Sequence, residues 1–149
     1  MNEHPSAGRF DGREHRLAVR VYYEDTDFTG VVYHAAYVRF FERGRSDCLR
    51  LAGVHHGELA ADERPTAFAV TRLAVDFLKA AHIDDALEVR TLYERVRGAR
   101  LFVSQSIWRG ETLIATAEVV AACIDLAGRA RKPSKALLDA VTPLLAEAP

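Results

Sequence analysis

Over residues 35–52 the apolar side chains return every three or four positions, whereas elsewhere in the chain they mostly return every second one. Tyr37, Phe41, Gly44, Cys48 and then Leu51 or Ala52 fall on one helical stripe, flanked by Val38 and Phe40. Arg39, Arg43, Ser46 and Arg50 make the opposing polar face, where Arg43 can pair with Asp47 one turn on. Glycine is costly inside a helix, so Gly44 on the apolar stripe marks a place where a sheet or second helix comes close. Gly53 supplies a C-terminal stop. A single long helix with so broad a stripe must be covered, and the rest of the chain offers mainly strands to cover it.

Residues 15–24 alternate, with Leu17, Val19, Val21 and Tyr23 on one face. Residues 66–79 carry Phe68, Val70, Leu73, Val75 and Phe77, and their alternation slips at Arg72–Leu73, which predicts a bulge. Residues 86–95, 101–109 and 112–126 alternate in turn, separated by Ile83–Asp84–Asp85, Arg97–Gly98–Ala99–Arg100 and Gly110–Glu111. Short turns between consecutive strands predict an antiparallel meander. Residues 55–63 read as a short surface helix ended by Pro65, and 128–134 as a basic loop. Residues 135–145 read as a last helix interrupted at Pro143. The order predicts an α+β fold, one five-stranded antiparallel sheet around one long central helix. Residues 15–149 form a single domain, and residues 1–14 a flexible polar arm without the apolar run of a secretory signal. Open sheet edges predict pairing with further copies, as a homodimer or homotetramer.

The 20 Lys and Arg against 21 Asp and Glu leave no broad basic face, so nucleic acid is not an expected partner. No apolar run is long enough to span a membrane, and the cytoplasm is the expected compartment. Cys48 and Cys123 belong to no ligand or redox spacing and read as small buried apolar residues.

Chemistry concentrates where the first strand hands over to the helix. Asp25, Thr26, Asp27 and Gly30 make a polar turn, and Tyr33 and His34 lead into the helix. Asp27 is read two ways, as an Asx-turn or helix cap, or as a reactive carboxylate beside the free N–H groups of a helix start. Such a start stabilises an oxyanion. A carboxylate there attacks a carbonyl or activates a water. His34 either orients the carbonyl or water, or is a polar cap; Gly30 allows close approach. Asp25 is the rival carboxylate. Together the residues suit acyl-transfer hydrolysis, and the chain has no G-x-S-x-G elbow. Glu24, Asp25, Asp27 and His34 also raise a metal reading, but no H-E-x-x-H or EF-hand pattern supports it, and no metal is expected.

The run Tyr22–Tyr23–Glu24–Asp25–Thr26–Asp27, then Gly30–Val31–Val32–Tyr33–His34, then Tyr37 and Phe41–Glu42–Arg43, resembles the signature of hotdog-fold acyl-CoA thioesterases. The nearest group is the Tol–Pal-associated thioesterases, with 4-hydroxybenzoyl-CoA thioesterases as more distant relatives. The resemblance covers roughly residues 18–138. It implies a hotdog fold, hydrolysis of an acyl-CoA thioester, Asp27 as nucleophile or general base, and His34 at the oxyanion site. It also implies oligomers with the active site at the subunit boundary, and no cofactor. Substrate-binding candidates are Gly30, Tyr33, Phe68 and Val70 for the acyl side, and Arg129, Arg131 and Lys132 for the CoA phosphates. An acyl-carrier protein is the alternative acyl donor. The chain departs from the group at Phe28–Thr29, where two small residues are usual, and at Gly44, where alanine is expected. The competing functions are a non-catalytic acyl-CoA-binding scaffold, a hotdog hydratase or dehydratase, and a metal-dependent hydrolase.

Overall fold

A computed structural model describes residues 3–149; Met1 and Asn2, the first residues of the expected arm, lie outside the described residues. The chain runs β1 (Arg9–Asp11), β2 (Glu14–Arg20), a 3-10 turn (Tyr23–Asp25), α1 (His34–Leu51), α2 (His56–Ala61), β3 (Ala67–Phe77), β4 (Ala86–Arg97), β5 (Arg100–Arg109), β6 (Thr112–Ile124) and α3 (Lys135–Val141). A second 3-10 turn, Thr142–Leu144, carries Pro143 and ends the last helix where the sequence predicted an interruption.

The strands form one antiparallel sheet in the order β1-β2-β4-β5-β6-β3. Six strands stand where five were expected, because the short β1 folds back on β2 out of the stretch read as an arm. The meander holds for β4, β5 and β6, but β3 crosses over to pair with β6 at the far edge. Alternation locates a strand without choosing its neighbour, which is why the crossover was not foreseen. The expected bulge in β3 falls between Val70 and Arg72.

Helix α1 buries Ala36, Tyr37, Phe40, Phe41, Gly44, Cys48 and Leu49 against β2, β4 and β5. Burying each of the two phenylalanines stabilises the fold by about 1.5–3 kcal/mol. A Cβ on Gly44 would stand 2.7 Å from Val89 Cγ1 and 2.9 Å from Thr91 Oγ1, so here the sheet does come close to the helix. Gln105 fills the contact. Its Nε2 donates to the Phe41 carbonyl at 2.8 Å and to Thr91 Oγ1 at 2.9 Å, and its Oε1 accepts from Arg45 at 3.0 Å. Asp47 does not pair with Arg43 as its spacing suggested. It turns to the buried His15, 2.6 Å away, and accepts the Gly8 N–H, which ties the N-terminal segment to α1.

Among the described residues no helix is long and apolar enough to cross a membrane. Edge strand β3 is mostly exposed, and Val70, Leu73 and Phe77 are apolar side chains left open along it.

Candidate active site

The two carboxylates of the polar turn separate by environment. Asp25 is buried, and its side chain accepts the Tyr22 N–H at 2.8 Å, closing the 3-10 turn that follows β2. It is a structural cap and is no longer a rival for chemistry. Asp27 is exposed. Its Oδ1 accepts both the Thr29 N–H at 2.8 Å and the Thr29 hydroxyl at 2.6 Å, an Asx-turn reinforced by a side chain. Oδ2 has no partner among the described residues. The Thr29 hydroxyl, and after it the Thr29 amide, hold the Asp27 carboxyl below its usual range, so it is fully ionised near neutrality.

The turn is pinned from both sides. Asp27 donates its N–H to the Val31 carbonyl, and Gly30 donates its own to the Asp27 carbonyl. Gly30 sits at φ +81°, in the left-handed region that glycine tolerates. The connection between β3 and β4 braces this turn: Val32 bonds Ala81, Ile83 bonds the Gly30 carbonyl, and Val31 bridges His82. Tyr37 adds a clamp from α1, its hydroxyl accepting the buried Ala81 N–H at 3.1 Å. Burial pushes the Tyr37 phenol up, so it stays protonated.

His34 is the first residue of α1 and is exposed. Tyr33 precedes it without capping it by a side chain, and the two rings lie 4.3 Å apart. The Ala36 N–H turns back to the Tyr33 carbonyl, while the His34 and Ala35 amides meet no backbone acceptor outside the helix. These amides head the helix dipole. The helix start borders a cleft of about 330 Å³ lined by Val31, Val32, His34, Tyr37, Phe77, Leu78, Lys79 and Ala80. In the segment before α1, Tyr22, Tyr23, Phe28 and Tyr33 are aromatic side chains left in the open.

Asp27, Gly30, Tyr33 and His34 thus lie in the one turn that leads into α1, and of the four His34 lines the cleft. Phe68 and Val70 do not join them; they line a second hollow further along the helix, between α1 and β3. Arg129, Arg131 and Lys132 lie in the loop beyond β6 and line neither hollow. Arg129 pairs with Asp125 at 3.0 Å, and Arg131 donates to the Pro65 carbonyl at 3.0 Å. The Asx-turn read at Asp27 is present, but the second bond, from the Thr29 hydroxyl, was not foreseen. Nor was the bracing by residues 78–85, which depends on the β3 crossover. Among the described residues no three His, Cys, Asp or Glu side chains gather as metal ligands. Both cysteines are buried as expected, and burial pushes their thiols up, Cys48 to about 12 and Cys123 to about 11, so neither supplies a thiolate nucleophile.

Comparison with known proteins gives one consistent result. A family model described as "Thioesterase superfamily" matches residues 29–116, beginning just after Asp27. The chain is 45% identical over 108 residues to the acyl-CoA thioesterase YbgC of Haemophilus influenzae, a match spanning 72% of this chain and 79% of the relative. It is 44% identical over 111 residues to the acyl-CoA thioester hydrolase YbgC of Escherichia coli, spanning 74% and 81%. A probable thioesterase from Bartonella henselae superposes with a TM-score of 0.79 at 41% identity, over 81% of this chain and 99% of that one.

Proposed function

The chain belongs to the thioesterase superfamily, and from that premise we propose that it hydrolyses an acyl-CoA thioester to a free carboxylic acid and CoA, with Asp27 as the reacting carboxylate. The observation that carries the assignment is the state of Asp27. It is ionised, held by Thr29 at one oxygen and open at the other, in the turn that leads into α1.

The thioester carbonyl oxygen points at the start of α1, where the His34 and Ala35 amides take up the negative charge that develops on it. Asp27 Oδ2 then acts by one of two routes. It attacks the carbonyl carbon, the C–S bond breaks, CoA leaves as the thiolate, and water cleaves the resulting anhydride. Alternatively it takes a proton from a water that attacks the same carbon. Gly30 keeps the turn tight, and Tyr33 and His34 border the acyl group.

A second copy completes the arrangement. Edge strand β3 has open hydrogen-bonding groups and exposed Val70, Leu73 and Phe77, and two copies joined antiparallel along it form one continuous sheet. Two-fold pairing of that kind sets the Phe68 end of one β3 beside the Phe77 end of the other. Arg129, Arg131 and Lys132 would then serve CoA phosphates across the subunit boundary. The cytoplasm, where CoA thioesters are made, is the proposed compartment.

The test is free-thiol release from short, long and aromatic acyl-CoAs by wild type and Asp27→Asn together. Release by wild type that falls about a thousandfold or more in the variant supports the mechanism. Equal release by both sinks the role of Asp27. Tight binding without release favours a binding module, and a hydrated or dehydrated product points to the other hotdog chemistries.

A further inference from the structure

Further along α1 from the His34 cleft lies a second hollow of about 370 Å³, bounded by α1 on one side and by β3, β5 and β6 on the other. Val38, one turn beyond His34, begins it, and Leu49, Phe68, Val70, Leu101 and Val103 make its walls apolar. One group is out of keeping with those walls. Arg45 reaches into the hollow half-buried, and its single side-chain hydrogen bond among the described residues goes to Gln105 Oε1 at 3.0 Å.

That bond fixes the guanidinium. Gln105 Nε2 is committed to two acceptors, the Phe41 carbonyl and Thr91 Oγ1, so its oxygen alone can face Arg45. Tyr93 braces the same residue, donating its hydroxyl to the Arg45 carbonyl at 3.1 Å. The other titratable groups on the hollow are Arg39, Glu42 and His56. Glu42 is exposed and makes no ion pair with Arg45, and the His56 ring leans edge-on against Phe68. The guanidinium therefore keeps most of its five N–H donors free in a desolvated setting, with Glu42 one turn back acting on it through space but not paired with it. A charge so placed is costly until an anion meets it.

We propose that this hollow takes the acyl chain of the substrate, and that Arg45 selects acyl groups whose far end bears a carboxylate. This rests on the thioesterase reading and deepens it. A trough with largely apolar walls, and Arg45 as the charged group sunk among them, suits a hydrocarbon chain with an acidic end. Along the helix Arg45 stands about 16 Å from His34, at 1.5 Å per residue, which is the reach of a medium-length acyl chain. The planar guanidinium fork matches a carboxylate with two parallel hydrogen bonds.

The experiment compares adipyl-, suberyl- and sebacyl-CoA with hexanoyl-, octanoyl- and decanoyl-CoA, on wild type, Arg45→Met and Arg45→Lys. Wild type should prefer at least one carboxylate-ended substrate to its alkyl-ended partner by about tenfold or more in kcat/KM. Arg45→Met should lose about a hundredfold on that substrate. It should stay within about threefold on the alkyl-ended one. Arg45→Lys, which keeps the charge without the fork, should fall between. A wild-type preference for the alkyl ends overturns the proposal. So does an equal loss on both series in Arg45→Met, which would assign Arg45 to CoA or to the fold. If wild type cleaves no thioester, the thioesterase reading fails, and calorimetry with free sebacic and decanoic acids decides the hollow separately. Binding of the diacid by wild type but not by Arg45→Met supports the selection, and no binding overturns it.

Discussion

At the start of α1 the His34 and Ala35 amides turn to no outside acceptor, Asp27 keeps one carboxylate oxygen free, and aromatic rings stand in the open. About three turns further on, polar groups meet the same helix in the opposite condition. Gln105 engages the Phe41 carbonyl, Thr91 and Arg45 at once, Thr91 and Gln105 are buried, and Gly44 lets the sheet approach to contact. A satisfied polar cluster in a packed core specifies structure, because any member left without its partner is penalised by desolvation. An unsatisfied one at a surface leaves hydrogen-bonding capacity for a substrate. The two regions are made of similar residue types, so what separates structure from chemistry here is satisfaction and burial.

The widest separation between the regions should come from Asp27→Asn. The amide keeps an oxygen for the Thr29 bonds but cannot attack or take a proton, so thioester turnover should fall about a thousandfold or more. The exposed site has little packing to lose, so the thermal midpoint should stay within about 2 °C. A large drop in the midpoint would move Asp27 into the structural class with Asp25 and break the comparison.

Gln105→Leu should do the reverse. It removes the partner of the Phe41 carbonyl, Thr91 and Arg45 together, and a buried polar group left unpaired costs about 1–3 kcal/mol. For a chain of this size that is roughly 2–9 °C in thermal midpoint, read by calorimetry. Turnover of a short acyl-CoA, measured below the transition, should change by less than about threefold. A variant as stable as wild type would show that the cluster contributes nothing.

Gly44→Ala tests the close approach with a smaller effect. The new methyl would lie 2.7 Å from Val89 Cγ1, which sits on a fully buried strand residue with little freedom to yield. Overpacking of that kind costs about 1–3 kcal/mol. Alanine in place of glycine returns about 1 kcal/mol of helix propensity. The net should be a loss of about 1 kcal/mol, seen in urea as a lower midpoint with an unchanged slope. A gain in stability would mean that the strand gives way to the methyl.

The two regions were unequally legible in the sequence. The period change at residue 35 marks α1, and Gly44 announced a close approach from propensity alone. The polar turn before His34 was readable as a candidate site because two carboxylates, a glycine and a histidine fall there directly ahead of a helix. Two things were hidden. Whether Asp25 or Asp27 is free depends on which one folds back on Tyr22, and that is set by the 3-10 turn, not by composition. The partners of β3 were hidden as well, since alternation is the same for an edge strand and a central one. For that reason the bracing of the turn by residues 78–85, and the distance of Phe68 and Val70 from His34, had no sequence signal.

The finest test concerns Thr29, which the sequence flagged only as a bulkier residue than usual. Its hydroxyl and amide stabilise the ionised form of Asp27, so the folded pKa lies below the ordinary 3.8. The sign follows from linkage. A depressed carboxylate keeps its stabilisation above the ordinary value and loses it as the pH falls through the folded value. In Thr29→Val the amide bond remains and the hydroxyl bond goes, so the Asp27 pKa should rise toward 3.8. The acid limb of kcat/KM should move to higher pH in step with it. At neutral pH the carboxylate is ionised with or without the hydroxyl, so the loss there should be under about tenfold, the price of a less well-held carboxylate. Thr29→Ser should restore both the limb and the rate. If the limb does not move in Thr29→Val, the group that titrates in the reaction is not Asp27. A rate at neutral pH as low as that of Asp27→Asn would instead assign the Thr29 hydroxyl itself to the chemistry.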